Sequence, residues 1–157
     1  MNPLFKLENT YEVNDSMENV RSKMKSLVNR RWSDFSENIS GTLSDDDSFK
    51  LHPKWSFGYI TGFGSPQDFT YLIGTIEEVN SRVIIKSITR PNYINIGFFY
   101  LLIFIMVGGV LKGNFQLLAI APVCLVFAGV MIFGAKRLRN RFERMMDLKE
   151  KNDVLTV

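Results

Sequence analysis

Apolar and polar residues alternate from Phe5 to Val13, with Phe5, Leu7, Tyr11 and Val13 on one side and Lys6, Glu8, Thr10 and Glu12 on the other. A period of two sends successive side chains to opposite faces, so this segment predicts a half-buried β-strand. The period then changes. Met17, Val20, Met24, Leu27 and Val28 recur at helical spacing as far as Arg30, and Asp15 followed by Glu18 has the spacing of a capping box with Asp in place of Ser or Thr. One amphipathic helix is expected to cover a sheet.

Further short strands are expected at Glu37 to Leu43 and Ser48 to Trp55, joined by Ser44-Asp45-Asp46-Asp47, and at Phe69 to Glu77 and Arg82 to Thr89, joined through Glu78 to Ser81. Between these pairs, Gly58, Gly62 and Gly64 with Tyr59 and Phe63 read as a strand with bulges. Arg90-Pro91-Asn92 breaks the pattern. Strand, helix, then antiparallel strands define an α+β domain over 1–92, one helix on a curved antiparallel sheet. Its aromatics, Trp32, Phe35, Trp55, Phe57, Tyr59, Phe63, Phe69 and Tyr71, suit a core first and an apolar ligand pocket under the helix second.

The pattern from 93 to 135 has no polar face. Ile94 to Leu111 is 18 residues without a charge and Phe115 to Ala135 is 21; at about 1.5 Å per residue each reaches roughly the thickness of a hydrocarbon layer. These segments predict a two-helix transmembrane hairpin, returning through Lys112-Gly113-Asn114, with Gly113 and Asn114 able to take positive φ. Gly109 and Gly113 form a GxxxG, and Ala121, Cys124, Ala128 and Ala135 share one helical face, so these six residues are the candidate helix-packing positions, within the hairpin first and in a homo-oligomer second. Pro122 lacks an N–H and should loosen the second helix. Neither span carries Asp, Glu, Lys, Arg or His, which argues against an ion pathway.

Beyond Ala135, arginines alternate with Leu138, Phe142, Met145 and Met146 at helical spacing. The segment 136–157 therefore reads as a basic amphipathic cytosolic tail. Lys136, Arg137, Arg139, Arg141 and Arg144 are the candidate membrane-surface residues for anionic lipid, worth about 1 kcal/mol each in favourable cases. They also serve topology. Basic residues flank the spans at Lys86 and Arg90 and again after Ala135, against Lys112 alone in the turn, so the N and C termini are both expected in the cytoplasm, at the bacterial inner (cytoplasmic) membrane. The N-terminal residues Met1 to Glu8 lack the apolar core of a secretory signal.

Charge and chemistry narrow the function classes further. Residues 1–92 carry 11 basic and 12 acidic side chains, and the basic excess lies after Lys136. No nucleic-acid surface is expected on the folded domain. Cys124 is the only cysteine and His52 the only histidine, which leaves no thiolate metal set and no nucleophile–base pair marked by a motif. Asp45 to Asp47 lack the frame of an EF-hand loop. No cofactor, metal or catalytic residue is expected.

The layout of strand and helix, then strands carrying Phe49-Lys50-Leu51 and Gly74-Thr75, then two spans, resembles small uncharacterised bacterial membrane proteins. The resemblance implies no activity. The expectation from the residues is a noncatalytic membrane protein whose partners are membrane lipids and a protein, the cytosolic domain serving as an interaction module or accessory subunit; the alternative is a tethered domain that binds lipid or a small ligand. Topology can be read directly. With Cys124 replaced by Ala, a cysteine at Asn114 should react with an impermeant maleimide in intact cells, while one at Ser26 should react only after the cells are opened; the reverse pattern would invert the orientation.

Overall fold

The structure is a computed structural model that describes residues 5–29, 39–53 and 69–148. Its strands are β1 (Leu7–Val13), β2 (Ser40–Leu43), β3 (Ser48–His52), β4 (Thr70–Val79) and β5 (Arg82–Pro91), and its helices are α1 (Met17–Val28), α2 (Tyr93–Leu111) and α3 (Ile120–Met146). The strands form one antiparallel sheet in the order β1-β5-β4-β3-β2. The fold is the expected α+β domain with a helical hairpin after it. The glycine-rich segment Gly58 to Gly64, the aromatics from Trp32 to Phe63 and the tail beyond residue 148 lie outside the described residues.

Local chemistry sets the boundaries. Ser16, rather than Asp15, is the N-cap of α1, its hydroxyl accepting from the Asn19 backbone N–H at 3.3 Å. Asp15 stands one residue earlier and accepts from the Ser16 N–H, the Asn19 side chain and Lys23. The β4–β5 hairpin closes on Asn80 and Ser81, both with positive φ (52° and 60°), the handedness that matches the twist of the flanking strands. Asn92 caps α2 by accepting from the Ile94 N–H.

The turn between α2 and α3 is a Schellman motif. Gly113 takes φ 82°, its N–H donates to the Val110 carbonyl, and the Asn114 N–H donates to Gly109. A 3-10 segment, Phe115–Ala119, then leads into α3. Pro122 falls in the first turn of α3, where a missing N–H costs nothing, so the loosening lies before it and no mid-span kink is required.

Two helices, rather than one, line the inner face of the sheet. α3 is 27 residues long, about 40 Å at the α-helical rise, and its second half leaves the apolar segment and runs across β4 and β5. Leu138 and Phe142 are at most 1% exposed and Met146 is 3% exposed. They share a core with Tyr11, Val20, Met24, Leu27, Phe49, Leu51, Leu72, Ile76, Val83 and Ile85. The Phe142 ring stacks on Phe49 at 5.5 Å and meets the Tyr11 ring edge-on at 6.3 Å. Gly74 lets Phe49 in, since a Cβ there would run into its ring. The amphipathic segment expected from residue 136 continues the second helix, and through Leu148 its apolar stripe packs on the sheet. Among the described residues, Val20, Met24 and Leu27 of α1 pack directly on these side chains.

A second cluster joins the sheet to the hairpin. Phe5 meets Phe99 edge-on at 5.4 Å, Phe69 meets Phe127 at 5.9 Å, and Cys124 and Met131 are buried between them. The Asn95 side chain donates to the Phe69 carbonyl at 3.2 Å. The two C-terminal helices are long and apolar enough to cross a membrane, and most of that apolar surface faces outward, with Phe104 at 76% exposure and Leu125 at 74%. Truncating the shared core should show at once: Phe142→Ala should lower the unfolding free energy in detergent by about 3–5 kcal/mol, whereas Arg137→Ala, on the exposed side of the same helix, should stay within about 0.5 kcal/mol.

Candidate functional site

Strand register fixes what the opposite face of the sheet presents. With the inner face filled by odd-numbered β1 and β5 residues, the even-numbered ones face outward and line up in rows. One row runs Glu8, Ile88, Ile73, Lys50, Thr42, and the next runs Thr10, Lys86, Thr75, Ser48. Nearer the hairpin, Tyr71 stands opposite Arg90. The side chains of the two rows and the intervening backbone line an open groove of about 640 Å³ with Ile73 and Ile88 half-buried in its floor.

Charges on this face are mostly compensated. Lys6 pairs with Glu8, Arg82 with Glu12, and Lys86 donates to Glu77 at 2.7 Å. That bond, with a weaker one from the Thr75 hydroxyl at 3.2 Å, holds the Glu77 carboxyl below its ordinary value. At the hairpin end the pattern differs. The Arg90 guanidinium lies over two rings, 5.1 Å from Tyr71 and 4.3 Å from Tyr93, and donates to the Tyr93 hydroxyl. Lys50 reaches the same Tyr71 ring at 5.3 Å. Burial raises the Tyr71 pKa.

The five basic residues expected to bind anionic lipid are split by the fold. Lys136 and Arg137 are exposed just where α3 leaves the apolar segment, while Arg139 is half-buried and pairs with Glu143 at 3.4 Å. Glu143 in turn accepts from the buried Tyr11 hydroxyl at 2.7 Å, and burial together with this bond raises the Tyr11 pKa strongly. Arg141 is half-buried and Arg144 exposed on the flank of the sheet domain, and both interact within the chain. One helix thus presents its cations around more than half a turn, not as one surface.

The six packing candidates also divide. Cys124 and Ala128 face α2 within the hairpin cluster, Ala135 is buried beside the sheet, and Ala121 is half-buried. Gly109 and Gly113 serve the turn: a side chain at Gly109 would run into Leu117, and Gly113 takes the positive φ. The acidic turn has its own partner, since Asp47 is held in two places by Arg21 from α1, and Asp46 accepts from Ser48. Among the described residues no three His, Cys, Asp or Glu side chains come together as a metal ion requires. His52 ends β3 on the open face, half-buried.

Sequence reading missed the Arg90–Tyr71–Tyr93 stack. Its members are 19 and 3 residues from Arg90 along the chain, and only the β4–β5 register places Tyr71 beside it. No family model matches the chain, and no curated protein or solved structure matches it. The Lys86–Glu77 pair gives a pH test. Because the folded Glu77 pKa is depressed, the pair contributes above the ordinary carboxylate range and is lost as pH falls through the lower folded value. Lys86→Met should move the Glu77 titration, followed by carboxyl NMR, upward toward the ordinary carboxylate range.

Proposed function

We propose that this is a noncatalytic integral membrane protein of the bacterial inner membrane, in which α2 and residues 115–135 cross as a hairpin and both termini lie in the cytoplasm. The large outward apolar area of the hairpin supports insertion. The basic residues on the domain side, against Lys112 alone in the turn, support the orientation. The sheet domain then sits directly on the inner surface, and its open face acts as an interaction module, the docking side of an accessory subunit for a larger membrane complex.

The observation that carries this reading is the continuity of α3. The helix leaves the apolar segment at Ala135 and enters the core of the sheet domain three residues later with Leu138, without a linker. The open groove is thereby held at one height and angle to the bilayer, as suits a surface meant for a partner embedded in the same membrane. Among the described residues, Val20, Met24 and Leu27 of α1 pack on the core, which supports the open face as the surface for recognition.

A photocrosslinking residue at Thr75 in the groove should give one discrete, saturable protein adduct in native membranes, and the same residue at Ser26 on the exposed side of α1 should not. Equal labelling at both positions, or none at Thr75, would remove the groove from the proposal.

A further inference from the structure

One row of the open face, followed from β1 to β3, runs Glu8, Ile88, Ile73, Lys50: an anion, two isoleucines, a cation. Reversed, it runs cation, isoleucine, isoleucine, anion. A surface with this order is complementary to itself when a second copy is turned by half a revolution about an axis lying between β5 and β4. Glu8 then faces Lys50 of the second copy, Ile88 faces its Ile73, and each contact occurs twice. The rows on either side obey the same operation. Arg90 comes opposite Tyr71, a cation against a ring, and Lys86 comes opposite Thr75. In these rows no like charges stand directly opposite each other.

Exposure along the row fits such a contact. Ile73 and Ile88 are half-buried in the floor of the groove, and Glu8 and Lys50 are exposed at its two margins. Lys50 has no carboxylate partner among the described residues, its ammonium lying 5.3 Å from the Tyr71 ring instead. Glu8 is held by Lys6 through Oε1, and a carboxylate accepts at both oxygens. Sheets stacked face to face lie about 10 Å apart, a gap that a glutamate and a lysine side chain together can span.

Anchoring selects the direction of the axis. β5 runs into α2 through Asn92, and Phe5, just before β1, packs on Phe99 of α2, so each row lies at its own distance from the hairpin. A two-fold axis along the strands keeps matching rows level and leaves both hairpins at the same end, as a single bilayer requires. Antiparallel pairing of two β1 edges would instead carry the second hairpin to the opposite end.

We infer that the open faces of two copies pack on each other in one membrane, Glu8 against Lys50 and Ile73 against Ile88, across a two-fold axis between β4 and β5. The inference rests on the membrane and docking readings above and names the occupant of the groove, a second copy of this chain. The packing is sheet on sheet, with the two layers contributed by two chains.

The test uses the full chain in native membranes with Cys124 replaced by Ala. Chains carrying Glu8→Cys and Lys50→Cys under different tags, expressed together, should be joined by a short bismaleimide into an adduct of twice the chain mass. Either variant expressed alone should not, because the axis holds two copies of one position three strand spacings, about 14 Å, apart. In vesicles where subunits are counted by photobleaching, Glu8→Lys or Lys50→Glu should weaken dimerisation by about tenfold. Both reversals in one chain should restore it. No adduct between the two different positions, equal adducts from like positions, or a double reversal no better than the single ones would overturn the inference. The photocrosslinking residue at Thr75 separates it from the reading beneath it. An adduct there with a different protein overturns the second copy as occupant and leaves the docking surface standing, whereas no adduct at all ends both.

Discussion

The burial of one apolar stripe, Leu138, Phe142 and Met146, between the sheet and α1 is the interaction on which the rest of the molecule depends. Each such side chain contributes about 1.5–3 kcal/mol when fully removed from water. Their larger consequence is geometric. The residues sit on a helix whose first half belongs to the apolar hairpin, so the same backbone that defines one layer also closes the other. A five-stranded sheet with α1 alone would leave the inner faces of β4 and β5 uncovered; with α3 in place, Tyr11, Ile76, Val83 and Ile85 become interior.

That arrangement divides the sheet into two unlike faces. The inner face is mostly apolar, with Ser87 and Thr89 buried among its side chains, and a hydrogen bond from Tyr11 to Glu143 ties β1 to α3 in a site where the hydroxyl stays protonated. The outer face is half-exposed, laced with ion pairs, and concave enough to hold a groove. Because the β5 strand runs into α2 with only Asn92 between Pro91 and Tyr93, the hairpin end of that face is covalently fixed to the apolar helix. Rigid attachment at two points, β5 into α2 and α3 into the core, removes the hinge that a tethered domain would ordinarily have.

The basic run after the second apolar segment shows how one pattern can serve two structures. Arginines interleaved with apolar residues at helical spacing describe an amphipathic helix lying on lipid as well as one lying on protein. What decides is whether an uncovered apolar face is within reach. Here β4 and β5 provide one, and the contact buries Leu138 and Phe142 almost completely; Arg139 then turns to Glu143.

Sequence by itself determined the class of element along most of the described chain, because each element has its own hydrophobic period: two in β1, near 3.6 in α1, and none in the uniformly apolar spans. It also determined the turn at Gly113, where positive φ favours glycine, and the acidic turn before β3. Tertiary structure alone decided which strands are neighbours, that Ser16 rather than Asp15 caps α1, and that Leu138, Phe142 and Met146 pack on the sheet. It alone brought Arg90, Tyr71 and Lys50 together. The reason is physical: periodicity records which face of an element is apolar but not what covers it, and a pairing register across strands far apart in sequence leaves no local trace in any one of them.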